Sequence, residues 1–143
     1  GRHRCGPRPR RRIPTTATRT RRRASGCSAR GSHRTGVVAR NEIYWADLGP
    51  PAGRRPVCVI TRDAAAAVLT AIICVPITRT IRSIRSEVEI GPDEGLPELC
   101  VINCDTIVTV PVEALDRAPV GHLDEIKRSE LDRALRYALD ILY

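Results

Sequence analysis

Three arginines, Arg79, Arg82 and Arg85, recur every third residue in the polar segment Thr78–Ser86, and the pair Arg54-Arg55 stands directly before Pro56. A guanidinium is a planar cation with five N–H donors that matches phosphate oxygens two at a time, so these side chains suit contacts along a nucleic-acid backbone. The same residues also suit solvated loops carrying ordinary charge. Tyr44 and Trp45 read either as platforms on which unpaired bases stack, or as strand residues buried in a core or against a second copy of the chain. Histidine acid–base chemistry is poorly supplied, because His3 and His33 lie in an arginine-rich N-terminal stretch and His122 stands alone near the other end. The carboxylates are scattered and no CxxC or HExxH is present, so neither a metal nor a cofactor is expected.

These residues sit on a chain of 143 residues whose net charge of +8 is unevenly placed. Residues 1–36 hold twelve arginines and no acid, whereas residues 37–143 hold all sixteen acids and a net charge of −4. The first stretch, rich in Arg, Pro, Thr, Ser and Gly, buries too little apolar surface to offset an ordering cost of about 1–2 kcal/mol per residue. A disordered basic tail is therefore expected over 1–36. It either binds phosphates without specificity or represents translation upstream of a true start at Val37 or Val38.

Residues 37–143 have the size of one domain. With 3% aromatics and no Phe or Met, its core has to be built from Val, Ile, Leu and Ala. No apolar run approaches the roughly 20 residues of a membrane span, and the N-terminus lacks the apolar segment of a secretory signal, so a cytoplasmic protein without membrane contact is expected. Cys58, Cys74, Cys100 and Cys104 fall inside apolar stretches and read as buried thiols; Cys100 and Cys104, an even offset apart, are expected on one face of one strand.

The elements that must position the arginines follow from residue type. Strands are expected at Glu42–Leu48, Pro56–Thr61, Leu69–Ile77, Glu87–Ile90 and, as one long strand, Leu99–Val110. Gly49–Gly53 and Gly91–Gly95 read as turns, and Asp63–Ala67 as a short connection of about one helical turn. Asp124 is a plausible N-cap for an amphipathic helix over 124–142, with Ile126, Leu131, Ala134, Leu135, Ala138, Leu139 and Leu142 at helical spacing. Short strands followed by one terminal helix predict a mainly β (α+β) domain, a small curled β-barrel with the helix packed on it.

Glu42–Pro51, Arg54-Arg55-Pro56-Val57, Val75-Pro76-Ile77-Thr78, Ser86-Glu87-Val88, Val101–Asp105 and Val120–Leu123 occur in an order and with gaps that resemble the MazF/PemK family of toxin endoribonucleases. The similarity runs from about Val37 to Leu142. It implies an SH3-like barrel of the MazF/CcdB type with a C-terminal helix, a homodimer, and metal-independent, sequence-selective cleavage of single-stranded RNA, usually mRNA, restrained by an antitoxin. The family's catalytic arginine falls on Arg55, before the Pro-Val of the second strand, and its threonine on Thr78, after the Val-Pro-x of the third.

That assignment is chemically sensible, since a ribonuclease can use the substrate's 2′-hydroxyl as nucleophile and need only move protons and stabilise phosphate charge. Arg54, Arg79, Arg82, Arg85 and Trp45 are the expected RNA contacts. The turn 49–53 is shorter than in many relatives, and Thr106 stands after Asp105 where Asn or Gln is common, so the resemblance does not carry over the recognised RNA sequence. An acidic antitoxin whose extended tail covers the arginine-lined groove is the expected partner. Two other functions fit the same barrel: a toxin that poisons a topoisomerase, as CcdB-like proteins do, or a silent module that binds nucleic acid or antitoxin.

Overall fold

The structure, a computed structural model, describes residues 36–142. The reading of 1–36 as a basic tail therefore falls, apart from Gly36, outside the described residues.

β1 (Glu42–Asp47) and β2 (Arg54–Val59) form an antiparallel hairpin in which Ile43 faces Cys58 and Asp47 faces Arg54. The turn between them has Gly49 and Gly53 at φ +69° and +66°, a left-handed backbone that favours glycine. A one-turn helix, α1 (Asp63–Ala66), leads to β3 (Ala71–Thr78), the longest strand. β4 (Glu87–Ile90) follows the arginine segment.

The long strand expected over Leu99–Val110 is two strands, β5 (Cys100–Asn103) and β6 (Val108–Pro111). The break is local chemistry. Asn103 Oδ1 accepts the Asp105 N–H at 3.2 Å, and the Asn103 carbonyl accepts the Thr106 N–H at 3.2 Å, closing a turn inside an apolar stretch. Cys104 consequently lies past the end of β5 rather than on one strand face with Cys100, although both thiols are buried in the same core. β7 (Gly121–His122), only two residues long and not expected from the residues, pairs with β1.

The strands form one curled half-barrel sheet in the order β4-β5-β3-β2-β1-β7, with β6 also on β3. β3 is where the sheet divides: Ala71–Cys74 pair with β6, Ile77 and Thr78 pair with β5, and Pro76, which has no N–H for a ladder, falls in the gap.

Alternation along the central strands supplies two cores. Ile43, Cys58, Val75 and Ile77 face one side, with Ile102, Leu123, Leu131 and Leu135; Tyr44, Ala46, Val57, Val59, Ile72 and Cys74 face the other, with Val38, Val110 and Leu115. Each fully buried Val, Leu or Ile contributes roughly 1.5–3 kcal/mol relative to exposure, which offsets the scarcity of aromatics.

α2 (Glu125–Ala138) closes the first core, and Asp124 caps it by accepting the Lys127 N–H at 2.8 Å. The helix ends four residues before the expected limit, and Ile126, Leu139 and Leu142 are exposed; the core-facing stripe is Leu131, Ala134 and Leu135. Among the described residues no helix is long and apolar enough to cross a membrane.

Candidate active site

The hairpin, the outer end of β3 and the loop before β5 enclose a cavity of about 480 Å³, lined by Trp45, Arg54, Arg55, Pro56, Ile77, Thr78, Arg79, Thr80, Leu96, Pro97, Glu98 and Cys100. Arg55 and Thr78, far apart in sequence, both open into it. The β2–β3 register explains this. The ladder ends at the Val57–Pro76 pair, and Arg55 and Thr78 each lie two residues beyond it at the same end of the two strands.

Each polar side chain in the cavity has a distinct electrostatic situation. Arg54 makes a bidentate pair with Asp116, at 2.8 and 2.6 Å, and its guanidinium lies 5.6 Å from the centre of the Trp45 ring. The Asp116 hydrogen bonds hold the Arg54 proton above the ordinary arginine value. Arg79 is paired with Glu98 at 3.0 Å. Arg55 has no carboxylate partner among the described residues. Its Nε and Nη2 donate to the Ala52 carbonyl at 3.0 and 2.8 Å, which fixes the guanidinium plane and leaves the Nη1 edge unspent. Thr78 Oγ1 accepts the Thr80 N–H at 3.2 Å, so its hydroxyl proton is available to a ligand. Cys100 at the cavity wall is buried, and desolvation, with the charge of Glu98, pushes its thiol pKa up, against the pull of Arg79.

The three-residue spacing of the arginine segment does not gather its members on one edge. Arg79 lines this cavity, but Arg82 turns to Glu87, which accepts the backbone N–H groups of Arg82 and Ser83 at 2.8 and 3.1 Å. Arg85 stacks on Tyr137 of α2 at 4.6 Å and lines a second cavity, of about 510 Å³, between β4 and the helix. Of the aromatic pair, Tyr44 is buried in the second core and its hydroxyl donates to Glu42 at 2.7 Å, while half-buried Trp45 reaches the cavity. Glu98 was not singled out by residue type: one acid among sixteen carries no local signal. Among the described residues no group of three or more His, Cys, Asp or Glu could hold a metal ion.

A curled antiparallel sheet closed by one helix, with an arginine-lined cavity at the end of its central strands, defines a small β-barrel class of protein. Over residues 39–139 the chain matches the PemK-like, MazF-like toxin of type II toxin-antitoxin system, and it belongs to that family. It is 36% identical over 107 residues to a probable endoribonuclease MazF5 of Mycobacterium tuberculosis strain H37Rv, covering 74% of this chain and 96% of that one. Among solved structures it is similar to the Mycobacterium tuberculosis toxin MazF-mt6, with a TM-score of 0.66 and 31% identity over 71% of this chain and 99% of that one. It is also similar to a mycobacterial endoribonuclease in complex with its cognate antitoxin, with a TM-score of 0.66 and 25% identity over 74% and 98% of the two chains.

Proposed function

We infer that this chain is the toxin of a type II toxin-antitoxin pair and that it acts as an endoribonuclease, cutting single-stranded RNA, mRNA included, at selected sequences and without a metal. The observation that carries this reading is that Arg55 and Thr78 line one cavity while Arg55, alone of its three arginines, lacks an acid partner among the described residues.

In the reaction, the 2′-oxygen of the substrate attacks the adjacent phosphorus and the bond to the 5′-oxygen breaks. The nucleophile loses its proton, the 5′-oxygen gains one, and a 2′,3′-cyclic phosphate remains. Arg55 presents its free N–H edge to the phosphate oxygens, where negative charge gathers in the transition state. Arginine holds its proton too tightly for proton transfer, so its part is electrostatic. The Thr78 hydroxyl, fixed by Thr80, donates to the same phosphate. Arg54, Arg79 and Trp45 bind the neighbouring nucleotides in this reading.

A homodimer is expected, since a domain with this little aromatic content gains by covering apolar surface against a copy. A cognate antitoxin is expected, as in the relative whose structure contains one; charge complementarity to the arginine-lined cavity favours an acidic chain that occupies it. Both act in the cytoplasm.

The test is incubation of the purified protein with single-stranded RNA in EDTA. Discrete cleavage that Arg55→Ala slows by about a hundredfold or more is expected. Absence of cleavage, or equal cleavage by the variant, overturns the reading, and topoisomerase inhibition with RNA left intact would replace it.

A further inference from the structure

Glu98 is the single carboxylate in the lining of the cavity that holds Arg55 and Thr78. Its charge is offset by Arg79, and because a carboxylate repels phosphates it suits the donor groups of a base rather than the nucleic-acid backbone.

The position of Glu98 is built. Leu96 and Cys100, on either side of it, are both seated in the helix-side core, and Pro97 restricts the backbone between them. The preceding loop is tied by the Gly91 N–H donating to the buried Glu94 carboxylate at 2.7 Å. Glu98 Oε1 meets Arg79 Nη1 at 3.0 Å, with the two side chains 55% and 75% exposed. A pair that open to water adds little stability, and it places the Glu98 carboxylate beside Arg79 in the cavity lining.

A carboxylate offers acceptors only. Of the four RNA bases, guanine alone sets two N–H donors, N1–H and N2–H, side by side on its Watson–Crick edge. Adenine and cytosine place an acceptor beside their amino group, and uracil flanks N3–H with two carbonyl oxygens. Unpaired bases are read on that edge. We propose that Glu98 is a specificity-determining residue that accepts from the Watson–Crick edge of a guanine next to the cleaved phosphate, with Arg79 as its positioning residue. This rests on the nuclease reading above and names the base that reading leaves open.

The experiment maps cleavage sites of the wild-type chain, Glu98→Gln and Glu98→Ser in a single-stranded RNA pool randomised around the scissile bond. It then compares one guanine-containing substrate with its inosine analogue, which lacks the 2-amino group. The wild-type chain is expected to require guanine at one fixed position, and both variants to lose about tenfold or more of that preference while still cutting RNA. Inosine is expected to lower kcat/KM for the wild type and not for Glu98→Ser, whose short side chain cannot reach the base, whereas Glu98→Gln keeps one carbonyl acceptor and falls in between. A wild-type motif without guanine, or a guanine preference unchanged in both variants, overturns this proposal and leaves the nuclease reading standing. A wild-type chain that cuts nothing overturns both.

Discussion

Arg55 on β2 and Thr78 on β3 each lie two residues beyond the Val57–Pro76 pair that ends the β2–β3 ladder, and both line the same cavity. The relationship is set by register, so a shift of one residue in the β2–β3 ladder would send one of the two side chains to the other face.

Arg55→Ala should lower kcat by about 10²–10³-fold, the size of effect seen when a donor to transition-state charge is removed. Its unfolding midpoint should move little, because the side chain is only half-buried and the lost contacts are its two bonds to the Ala52 carbonyl. Arg55→Lys keeps the charge but not the fork, and should recover part of the activity at most. Single-turnover cleavage of a defined RNA and a denaturant titration provide the two readouts.

Thr78→Val preserves the branched shape and removes the hydroxyl. A hydrogen bond to a charged group is worth about 1.5–3 kcal/mol, so cleavage should slow by roughly ten- to hundred-fold. Thr78→Ser should retain most of the rate. Equal rates for the Val and Ser variants would remove the hydroxyl from the mechanism.

Gly121→Ala should destabilise the domain by about 2–4 kcal/mol, measured by chemical denaturation. A Cβ at this position would run into the Glu94 carbonyl, and one at Gly95, where φ is +89°, into the Val120 carbonyl. Both obstacles are backbone, with little room to yield, so the two loops lock at a glycine–glycine contact beside the loop that carries Glu98.

Burial pushes the thiols of Cys74 and Cys104 up to about 12 and that of Cys58 up as well. The folded chain therefore keeps protons that the unfolded chain releases near pH 9. The stability these groups contribute is complete below pH 9 and declines as pH rises from about 9 to 12. Alkaline unfolding curves check the sign. Mass-spectrometric mapping near pH 8 should find these three cysteines unlabelled by a thiol reagent until denaturant is added.

Much of this architecture could be read from the residues. β1, β2 and β4 follow from β-branched and alternating stretches between glycine and proline turns, and the start of α2 from Asp124. The turn at Cys104–Ile107 was hidden because the groups that close it, Asn103, Asp105 and Thr106, are embedded between apolar residues that favour continued extension. The helix end was overrun because Leu139 and Leu142 keep helical spacing although nothing among the described residues covers them. β7 is too short for any periodicity. At the site, the family motifs pick out Arg55 and Thr78, but their placement at the same end of the ladder depends on strand register. The Arg79–Glu98 pairing depends on a loop returning to the sheet. Neither has a local signature.

β3 belongs to both cores at once, and Pro76 stands where its neighbour on one side changes from β6 to β5. Thr78 is only two residues beyond that junction. A packing defect under the helix and one on the far side of the sheet would thus arrive at the same hydroxyl, so suppressors of toxicity should turn up in either interior, well away from any nucleotide.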